Sequence, residues 1–432
     1  MFRTIASGVM LMALPSVAVA QEQTVVAANE TGDTAWVLAA SALLLFAILP
    51  GLVLFFAGQV RSRNLLSVAT QIGTVTAIVS LLWVVVGYTL AFGDSVGGFL
   101  GNGRAWMLIQ LDNLRANTII PESTFALFRM GFAVLASALM VGAWLERASF
   151  GWVVAFTAIW TLLVFAPVAH WVWGGGWLAG FGVLDFGGGL AVLTTAGASS
   201  LVVALLMGKR LGFTPAGVAT GMPLATVTGA LLLWVGWFGL SGGSTLTATD
   251  DASSAIINTH VAAAAAALVW LMAEKASRGV PTAVGFATGL AAGLATVTPA
   301  AGYISPGASI AFGAAGALVC FWAVNLVRSK WGIDDSANIF AVFGVGGMLG
   351  TLLLAPFLSI DLGGTGYADE VNMAGMIVAQ ALGVGAVAIY SAIATGIIAV
   401  AVSLFIPMRV SEAEETAGLD NTGHAERAKP AA

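Results

Sequence analysis

Charged residues are scarce in this 432-residue chain: only 9% are Asp, Glu, Lys or Arg, whereas 59% are hydrophobic. Soluble domains carry about 25% charged residues, so these residues are too few to cover a surface that faces water. A soluble enzyme and a disordered protein are therefore excluded. A net charge of −5 also excludes a nucleic-acid-binding protein, because no basic surface can hold a polyanion.

Reactive and metal-binding residue types are also rare. The single cysteine, Cys320, lies in an apolar run, which excludes a disulfide framework and a thiolate metal site. No HExxH, CxxC or P-loop pattern occurs, and no nucleophile–base pair is visible. We therefore predict that the chain is not an enzyme and that it has no metal and no cofactor.

Long apolar segments are abundant, and eleven of them have about the 20 residues that cross a bilayer as a helix. They lie at 35–58, 66–92, 123–145, 149–173, 187–207, 216–240, 254–274, 281–299, 308–328, 338–358 and 375–406. The predicted fold class is an all-α integral membrane protein with eleven transmembrane helices, which form a transporter domain at residues 35–406. The last segment is long enough to tilt or bend.

Basic residues follow every odd-numbered segment, for example Arg61, Arg147 and Arg409. Because cytoplasmic loops are enriched in Lys and Arg, these ends are predicted to be cytoplasmic. The C-terminal tail, residues 407–432, would then lie in the cytoplasm.

The first 20 residues have the features of a signal peptide. Arg3 precedes an apolar stretch, and an Ala-x-Ala motif ends at Ala20. Cleavage there would leave residues 21–34 as a periplasmic N-terminus on a bacterial inner membrane protein. The alternative is an additional anchoring helix.

Two segments that are 150 residues apart are similar. Asp185-Phe-Gly-Gly-Gly-Leu-Ala-Val-Leu193 begins the fifth span, and Asp335-Ser-Ala-Asn-Ile-Phe-Ala-Val-Phe343 begins the tenth. The two spans run in opposite directions by the span count. Similar segments of opposite direction indicate an inverted repeat of five helices each, with a site near the bilayer midplane.

Charged residues near these spans allow functional and structural interpretations. Asp185 either binds a cation or caps a helix by accepting backbone N–H bonds. Arg129 repels cations, attracts anions or extends to the interface. Asp334 and Asp335 are charged residues at a helix start, or else an ion site.

Two histidines lie near span ends. His170 precedes Trp171 and Trp173, which is typical of a hydrogen-bonded residue at the membrane interface. His260 follows Asn258 and Thr259. It either acts as a ligand or in proton transfer, or it has no special role.

Five segments resemble the ammonium transporter family (Amt/Mep/Rh) at matching spacing. They are GDTAWVLAASALLLFAILPGLVLFFAGQVRSRN (32–64), PVAHWVWGGGWLAGFGVLDFGGG (167–189), GWFGLSGGS (236–244), TPAAGY (298–303) and DDSANIFAVFGVGGMLG (334–350). The segment RVSEAEETAGLDNTGHAER (409–427) resembles the cytoplasmic regulatory tail of that family. The resemblance implies a homotrimer of eleven-helix subunits, each with its own pore between inverted halves.

The resemblance also implies roles for individual residues. The outer recruitment site would consist of Phe132, Trp173, Ser244 and Leu240, the last of which stands where the family usually has phenylalanine. Aromatic faces attract cations, and a serine hydroxyl accepts an N–H bond. Phe128 and Phe132 would form a gate of stacked rings, and Asp185 would be the buried carboxylate behind the site.

The central pore departs from the family pattern. Members usually carry two facing histidines, whereas here those positions are Leu193 and Phe343, which cannot donate, accept or relay a proton. Arg129 stands where the family typically has a neutral residue, and His260 stands where an apolar residue is usual.

Three functions remain open on this basis. The protein conducts ammonia or ammonium with altered selectivity or proton coupling, or it is a non-conducting ammonium sensor that signals through its tail. Alternatively, it transports another small neutral or methylated solute. A PII-type nitrogen regulatory protein is an expected partner at the cytoplasmic face. The tail around Glu412, Glu414, Glu415 and Gly418–Asp420 is expected to pack on a neighbouring subunit, and the alternative is a solvated acidic tail.

Overall fold

The computed structural model describes residues 31–109, 111, 114–116, 118–215, 221–368 and 370–426. The predicted signal peptide at 1–20 and residues 21–30 lie outside this part of the chain. The first helix begins at Thr31, four residues before the predicted start of the transporter domain at residue 35.

The fold is helical, and thirteen helices are numbered here in chain order. Eleven follow the predicted spans: α1 Thr31–Ala57, α2 Ser62–Phe92, α3 Glu122–Val141, α4 Phe150–Gly180, α5 Gly189–Met207, α6 Pro223–Gly243, α7 Asp250–Arg278, α8 Ala283–Val297, α9 Pro306–Lys330, α10 Ile339–Phe357 and α11 Met373–Ser403. The tail forms α12 Glu412–Ala417 and α13 Leu419–His424. A short hairpin pairs β1 Ser95–Val96 with β2 Leu100–Gly101.

Ten of these helices, all except α8 among the eleven, are long and apolar enough to cross a membrane. This confirms the prediction of a multi-pass helical membrane protein. α8 coincides with the predicted eighth span but has 15 residues, which is below the usual spanning length of about 20. The eleventh transmembrane span therefore stays a prediction.

α5 and α10 have the same local structure, which agrees with the 150-residue repeat. Each begins with a wide π-helical turn, at Gly189–Thr194 and at Ile339–Gly344. Each turn follows a residue in the left-handed region, Gly188 (φ 100°) or Asn338 (φ 58°). A residue with a Cβ is strained in that region, so the glycine at 188 fits this position.

The two helices run in opposite directions and touch near their middles. The backbone N–H of Arg210, just after α5, donates to Asp334 Oδ2, just before α10, at 3.0 Å. A methyl group on Gly197 would overlap the Cα of Gly344. The backbones of α5 and α10 are thus in direct contact, as the glycine content of membrane helices permits.

The basic residues that follow the odd-numbered spans lie on one side of the bundle, here called the basic face. Its buried centre is an ion-pair network. Arg210 contacts Glu146 at 3.1 Å and Asp334 at 3.1 Å, and Arg147 contacts Asp334 at 3.6 Å. Glu146 and Arg147 follow α3, so this network connects both halves of the repeat.

The C-terminal tail packs against the basic face of its own chain. Ser411 and Glu414 form a capping box that starts α12. Glu415 is buried and pairs with Arg409 at 2.7 Å. Asp420 in α13 is also buried and accepts the Ser67 backbone N–H at 2.8 Å. Through residue 426 the tail is therefore docked rather than solvated, and its contact with a neighbouring subunit stays a prediction.

Candidate permeation site

Five aromatic side chains lie together near the face opposite the basic face. This outer aromatic cluster consists of Phe92, Phe125, Phe128, Phe132 and Trp173. Phe132 meets Trp173 at 5.5 Å between ring centroids, and Phe128 meets Phe132 at 5.0 Å. The two phenylalanines of the predicted gate are in contact, but they meet edge to face at 79° rather than stacked.

Helical spacing places three of these rings on one side of α3. Phe125, Phe128 and Phe132 are three, four or seven residues apart, so they share a helix face. Trp173 comes from the end of α4, and its indole N–H donates to the Asp185 backbone carbonyl at 2.8 Å. This bond fixes the ring beside Phe132. Trp173 is half-buried, whereas Phe128 and Phe132 are fully buried.

Arg129 lies inside the cluster and does not extend to the interface. Arg129 is buried, with only 7% of its surface exposed. Its guanidinium carbon is 4.4 Å from the centroid of Trp173 and 5.0 Å from that of Phe132. Phe125, Phe92 and Phe128 follow at 5.2, 5.9 and 6.0 Å. Helix spacing indicates the contact with Phe125, but nothing in the sequence places Phe92 there.

Ser244 and Leu240 lie one helical turn apart at the end of α6. The Ser244 hydroxyl donates to the Leu240 carbonyl at 2.7 Å, so its lone pairs remain available as acceptors. Ser244 is half-buried and Leu240 is fully buried. This arrangement leaves Ser244 able to accept an N–H bond.

Asp185 caps the start of α5. Its two carboxylate oxygens accept four backbone N–H bonds, from Gly188, Gly189, Leu190 and Ala191, at 2.6–3.0 Å. These bonds occupy the carboxylate lone pairs that a cation would need. The structural interpretation of Asp185 as a cap therefore fits the geometry better than a direct cation ligand.

Asp335 has the equivalent role at the start of α10. It accepts the N–H bonds of Ile339, Phe340 and Ala341 at 2.8–3.2 Å. Burial raises the pKa of the Asp335 carboxyl to about 6, although these N–H bonds oppose the change. Asp334, by contrast, belongs to the ion-pair network of the basic face.

Three large side chains that offer no free hydrogen-bonding group are buried in the interior of the bundle. Leu193 and Phe343 lie in the π-helical turns that begin α5 and α10, these turns pack against each other, and both side chains are fully buried. Trp237 stacks on Phe343 at 6.4 Å between ring centroids. Its N–H, which would otherwise be free to bind a solute, donates to Thr298 at 2.9 Å. We call Leu193, Trp237 and Phe343 the waist.

None of the three histidines of the chain reaches the waist. His170 is buried near the opposite face, where its ring nitrogens contact the Ala91 carbonyl at 3.0 Å and the Ser95 hydroxyl at 2.9 Å. His260 is exposed on α7 and stacks on Trp234 at 4.9 Å. His424 lies in the tail against Phe150. In these contacts of the described residues, none of the three imidazoles therefore meets Leu193, Trp237 or Phe343.

A cavity of about 640 Å³ lies at the basic face. Its lining includes Gln59, Trp270, Glu274, Ser336 and Asn338. Within the described residues, no group of three or more His, Cys, Asp or Glu side chains is placed to hold a metal ion. The described residues thus provide an aromatic cluster near one face, three buried side chains in the interior and a cavity at the basic face.

A model of the Ammonium Transporter Family matches residues 35–429. The chain belongs to this family. It is 39% identical over 422 residues to an ammonium transporter of Aquifex aeolicus, with 98% of each protein covered. It is 40% identical over 409 residues to an ammonium transporter of Bacillus subtilis, with 92% of this chain and 98% of the relative covered.

Solved structures of Amt and Mep proteins have the same fold. One is a sensor Amt protein, with a TM-score of 0.85, 28% identity and coverage of 91% of this chain and 98% of that protein. Another is Saccharomyces cerevisiae Mep2, with a TM-score of 0.80, 30% identity and coverage of 89% and 88%. The family consists of channels and transporters, so this multi-pass membrane protein is not an enzyme.

Two features of the structure were not predicted from the sequence. Trp237 had no predicted role, and its stacking on Phe343 is visible only in the structure. The network of Glu146, Arg147, Arg210 and Asp334 was also missed, because its members are far apart in the chain. The sequence indicated only that charged residues lie at the ends of the spans. It did not indicate that these residues are buried.

Proposed function

We propose that this protein conducts neutral ammonia across the membrane without moving a proton through its waist. The observation that supports the proposal is the set of fully buried, apolar side chains at positions 193 and 343, with Trp237 stacked on one of them. Leu193 and Phe343 have no hydrogen-bonding groups, and the Trp237 N–H already has a partner. A neutral solute is the class that such a waist can pass.

The physical reason is the cost of desolvation. Moving an ion of ammonium size from water to a medium of low polarity costs about 20 kcal/mol in the idealised limit and several kcal/mol after relaxation. A proton relay would avoid this cost by separating the proton from ammonia, but it requires groups that exchange protons. Without them the proton stays outside, ammonia crosses, and it takes up another proton on the far side.

A second candidate is a non-conducting ammonium sensor. It is favoured by the likeness to the sensor Amt protein and by the docked tail, whose buried Glu415 and Asp420 couple it to the basic face. In that case the waist is closed and a ligand acts through the tail. A transporter of another small neutral solute is compatible with the same waist.

We further propose the assembly and location that the family resemblance implies. The subunits form a homotrimer in a bacterial inner membrane, with the N-terminus in the periplasm and the basic face in the cytoplasm. A PII-type regulatory protein would bind that face. Loops rich in Arg and Lys support this orientation.

The test uses the purified full-length protein in liposomes that contain a pH-sensitive dye. An ammonium pulse should make the lumen alkaline faster than in protein-free vesicles, because entering ammonia takes up protons there. The same vesicles on a solid-supported membrane should give no ammonium-dependent current. An ammonium-dependent current would refute proton-free conduction. If neither alkalinisation of the lumen nor a current appeared, the sensor function would be favoured.

Changing both waist positions to histidine, L193H with F343H, tests the missing relay directly. Because imidazoles accept and donate protons near neutral pH, the double variant should gain an ammonium-dependent current. The matched control is L193M with F343L, which changes side-chain shape without adding a relay group, and it should gain none. A current in the control would mean that pore width, not the relay, limits charge movement.

A further inference from the structure

Arg129 places a permanent positive charge on the aromatic surface that the family resemblance assigns to an ammonium ion. Its guanidinium carbon is nearest to Trp173, at 4.4 Å from the ring centroid, and next nearest to Phe132, at 5.0 Å. These are two of the residues of the outer recruitment site. A guanidinium binds aromatic faces by the same attraction as ammonium, so both cations compete for one place.

The guanidinium has little other compensation for its burial. Its Nε and Nη1 atoms are buried and have no hydrogen-bond partner. The nearby carboxylate of Asp185 is occupied by four backbone N–H bonds. The five rings of the outer aromatic cluster make the direct contacts of this charge that the structure shows, and the Asp185 carboxylate attracts it through space. A buried cation surrounded by rings is an occupant of the cluster.

Magnitudes decide whether a second cation can share the cluster. Two unit charges about 4 Å apart repel each other more strongly, at the effective dielectric constant of a protein, than one aromatic face attracts a cation. Repulsion exceeds attraction, so an ammonium ion cannot bind the cluster while Arg129 remains in it.

We infer that Arg129 is a specificity-determining residue: its guanidinium is the built-in occupant of the outer aromatic cluster and excludes monovalent cations, which leaves neutral solutes as the class that enters. The exclusion of cations stands on the contacts of Arg129 itself, whereas its consequence for transport rests on the proposed function.

Arg115 provides a matched control because it lies against two of the same rings. Its guanidinium carbon is 4.3 Å from the centroid of Phe125 and 5.4 Å from that of Phe92. Unlike Arg129, it has a carboxylate partner, Glu122, at 3.2 Å. Within the described residues, the Arg115 guanidinium does not lie over the ring of Trp173 or Phe132. Removing it should therefore not open the recruitment site.

The experiment measures thermal unfolding of the purified full-length protein in ammonium, methylammonium or sodium chloride at equal concentrations. Wild type and R115Q should show no stabilisation by ammonium or methylammonium beyond that by sodium. R129Q should be stabilised by ammonium and methylammonium. The concentration that gives half of this stabilisation should be at least about tenfold lower than the concentration at which wild type responds, a difference of about 1.4 kcal/mol in binding free energy. R129M, which keeps the side-chain length without charge, should behave in the same way.

Two results would overturn the inference. One is ammonium-specific stabilisation of the wild type equal to that of R129Q or R129M. The other is no gain in either folded variant. Adding F132A to R129Q should remove the gain, and persistence of the gain would place the cation elsewhere. These binding results are independent of flux: if wild type conducts no ammonia but R129Q gains a cation site, the proposed function fails and the inference stands.

Discussion

At the scale of single residues, Trp173 connects two charged side chains that are stabilised in different ways. Its indole N–H donates to the Asp185 carbonyl, and its ring faces Arg129. The Asp185 carboxylate is satisfied by four backbone N–H groups, whereas the Arg129 guanidinium is held by aromatic rings. A negative charge near a helix start is favourable in itself. The positive charge at 129 has no such general support, which agrees with the specificity role that we propose for it.

Asp185→Asn tests the capping role at this scale. Each carboxylate oxygen accepts two N–H bonds, at Gly188 and Gly189 for one and at Leu190 and Ala191 for the other. An amide has one acceptor oxygen, so two N–H groups would face an NH₂ group. We expect a loss of about 1–3 kcal/mol in stability, measured as a lower unfolding temperature in detergent.

Asp361→Asn is the control for this change, because Asp361 is exposed at a short helix start. Its unfolding temperature should equal that of wild type. An Asp185→Asn protein as stable as this control would contradict the capping role and restore the interpretation of Asp185 as a solute ligand.

The family resemblance names the residues of the proposed entrance and waist, which are Phe128, Phe132, Trp173, Leu193 and Phe343, but not their contacts. The surroundings of Arg129 could not be predicted, because Phe92 and Trp173 come from other helices. Sequence spacing gives neighbours on one helix and is silent about neighbours across a bundle.

At the scale of elements, the crossing of α5 and α10 depends on the absence of side chains. Gly197 lies against the Cα of Gly344, and Gly347 lies against Gly189 and Leu193. The repeat was visible in the sequence, and the opposite direction of the two helices followed from the span count. Their backbone contact was not foreseeable, because glycines are frequent throughout the chain and most of them indicate only close packing.

Gly197→Ala tests this crossing. The new methyl group would overlap the backbone of Gly344, and overpacking of this kind costs about 1–3 kcal/mol. We expect a lower unfolding temperature and slower ammonia entry, since Leu193 lies on the same helix. Gly385→Ala in α11 is the control, because its methyl group would meet open space.

In a helix interior, alanine is more favourable than glycine by up to about 1 kcal/mol. Gly385→Ala should therefore be neutral or slightly stabilising, so the two substitutions should have opposite or clearly different effects. Equal unfolding temperatures for the two variants would show that α5 and α10 are not in backbone contact.

At the scale of the whole molecule, the ion-pair network of the basic face joins the two halves of the repeat. Asp334 precedes α10, whereas Arg147 follows α3 and Arg210 follows α5. Burial alone would raise the pKa of the Asp334 carboxyl, but Arg147 and Arg210 outweigh it and hold this pKa below its ordinary value of 3.8. The folded state therefore favours the charged carboxylate.

This pKa determines how stability should depend on pH. A carboxyl whose pKa is lower in the folded state contributes stability above its unfolded pKa. That contribution decreases as pH falls below 3.8 towards the folded value. Removing one partner of a buried ion pair costs about 3–5 kcal/mol, so Asp334→Asn should strongly lower the unfolding temperature at pH 7. The difference from wild type should shrink as the pH falls below 3.8.

Asp94→Asn is the matched control, because Asp94 pairs with Arg104 on the surface with both side chains at least 75% exposed. Such pairs contribute about 0–1 kcal/mol, so this variant should follow wild type at every pH. If Asp334→Asn did the same, the two halves would be joined by apolar packing alone. A large loss of stability in Asp334→Asn would instead show that the ion pairs of the basic face hold the two halves together. Any partner that binds this face would then act on both halves of the pore together.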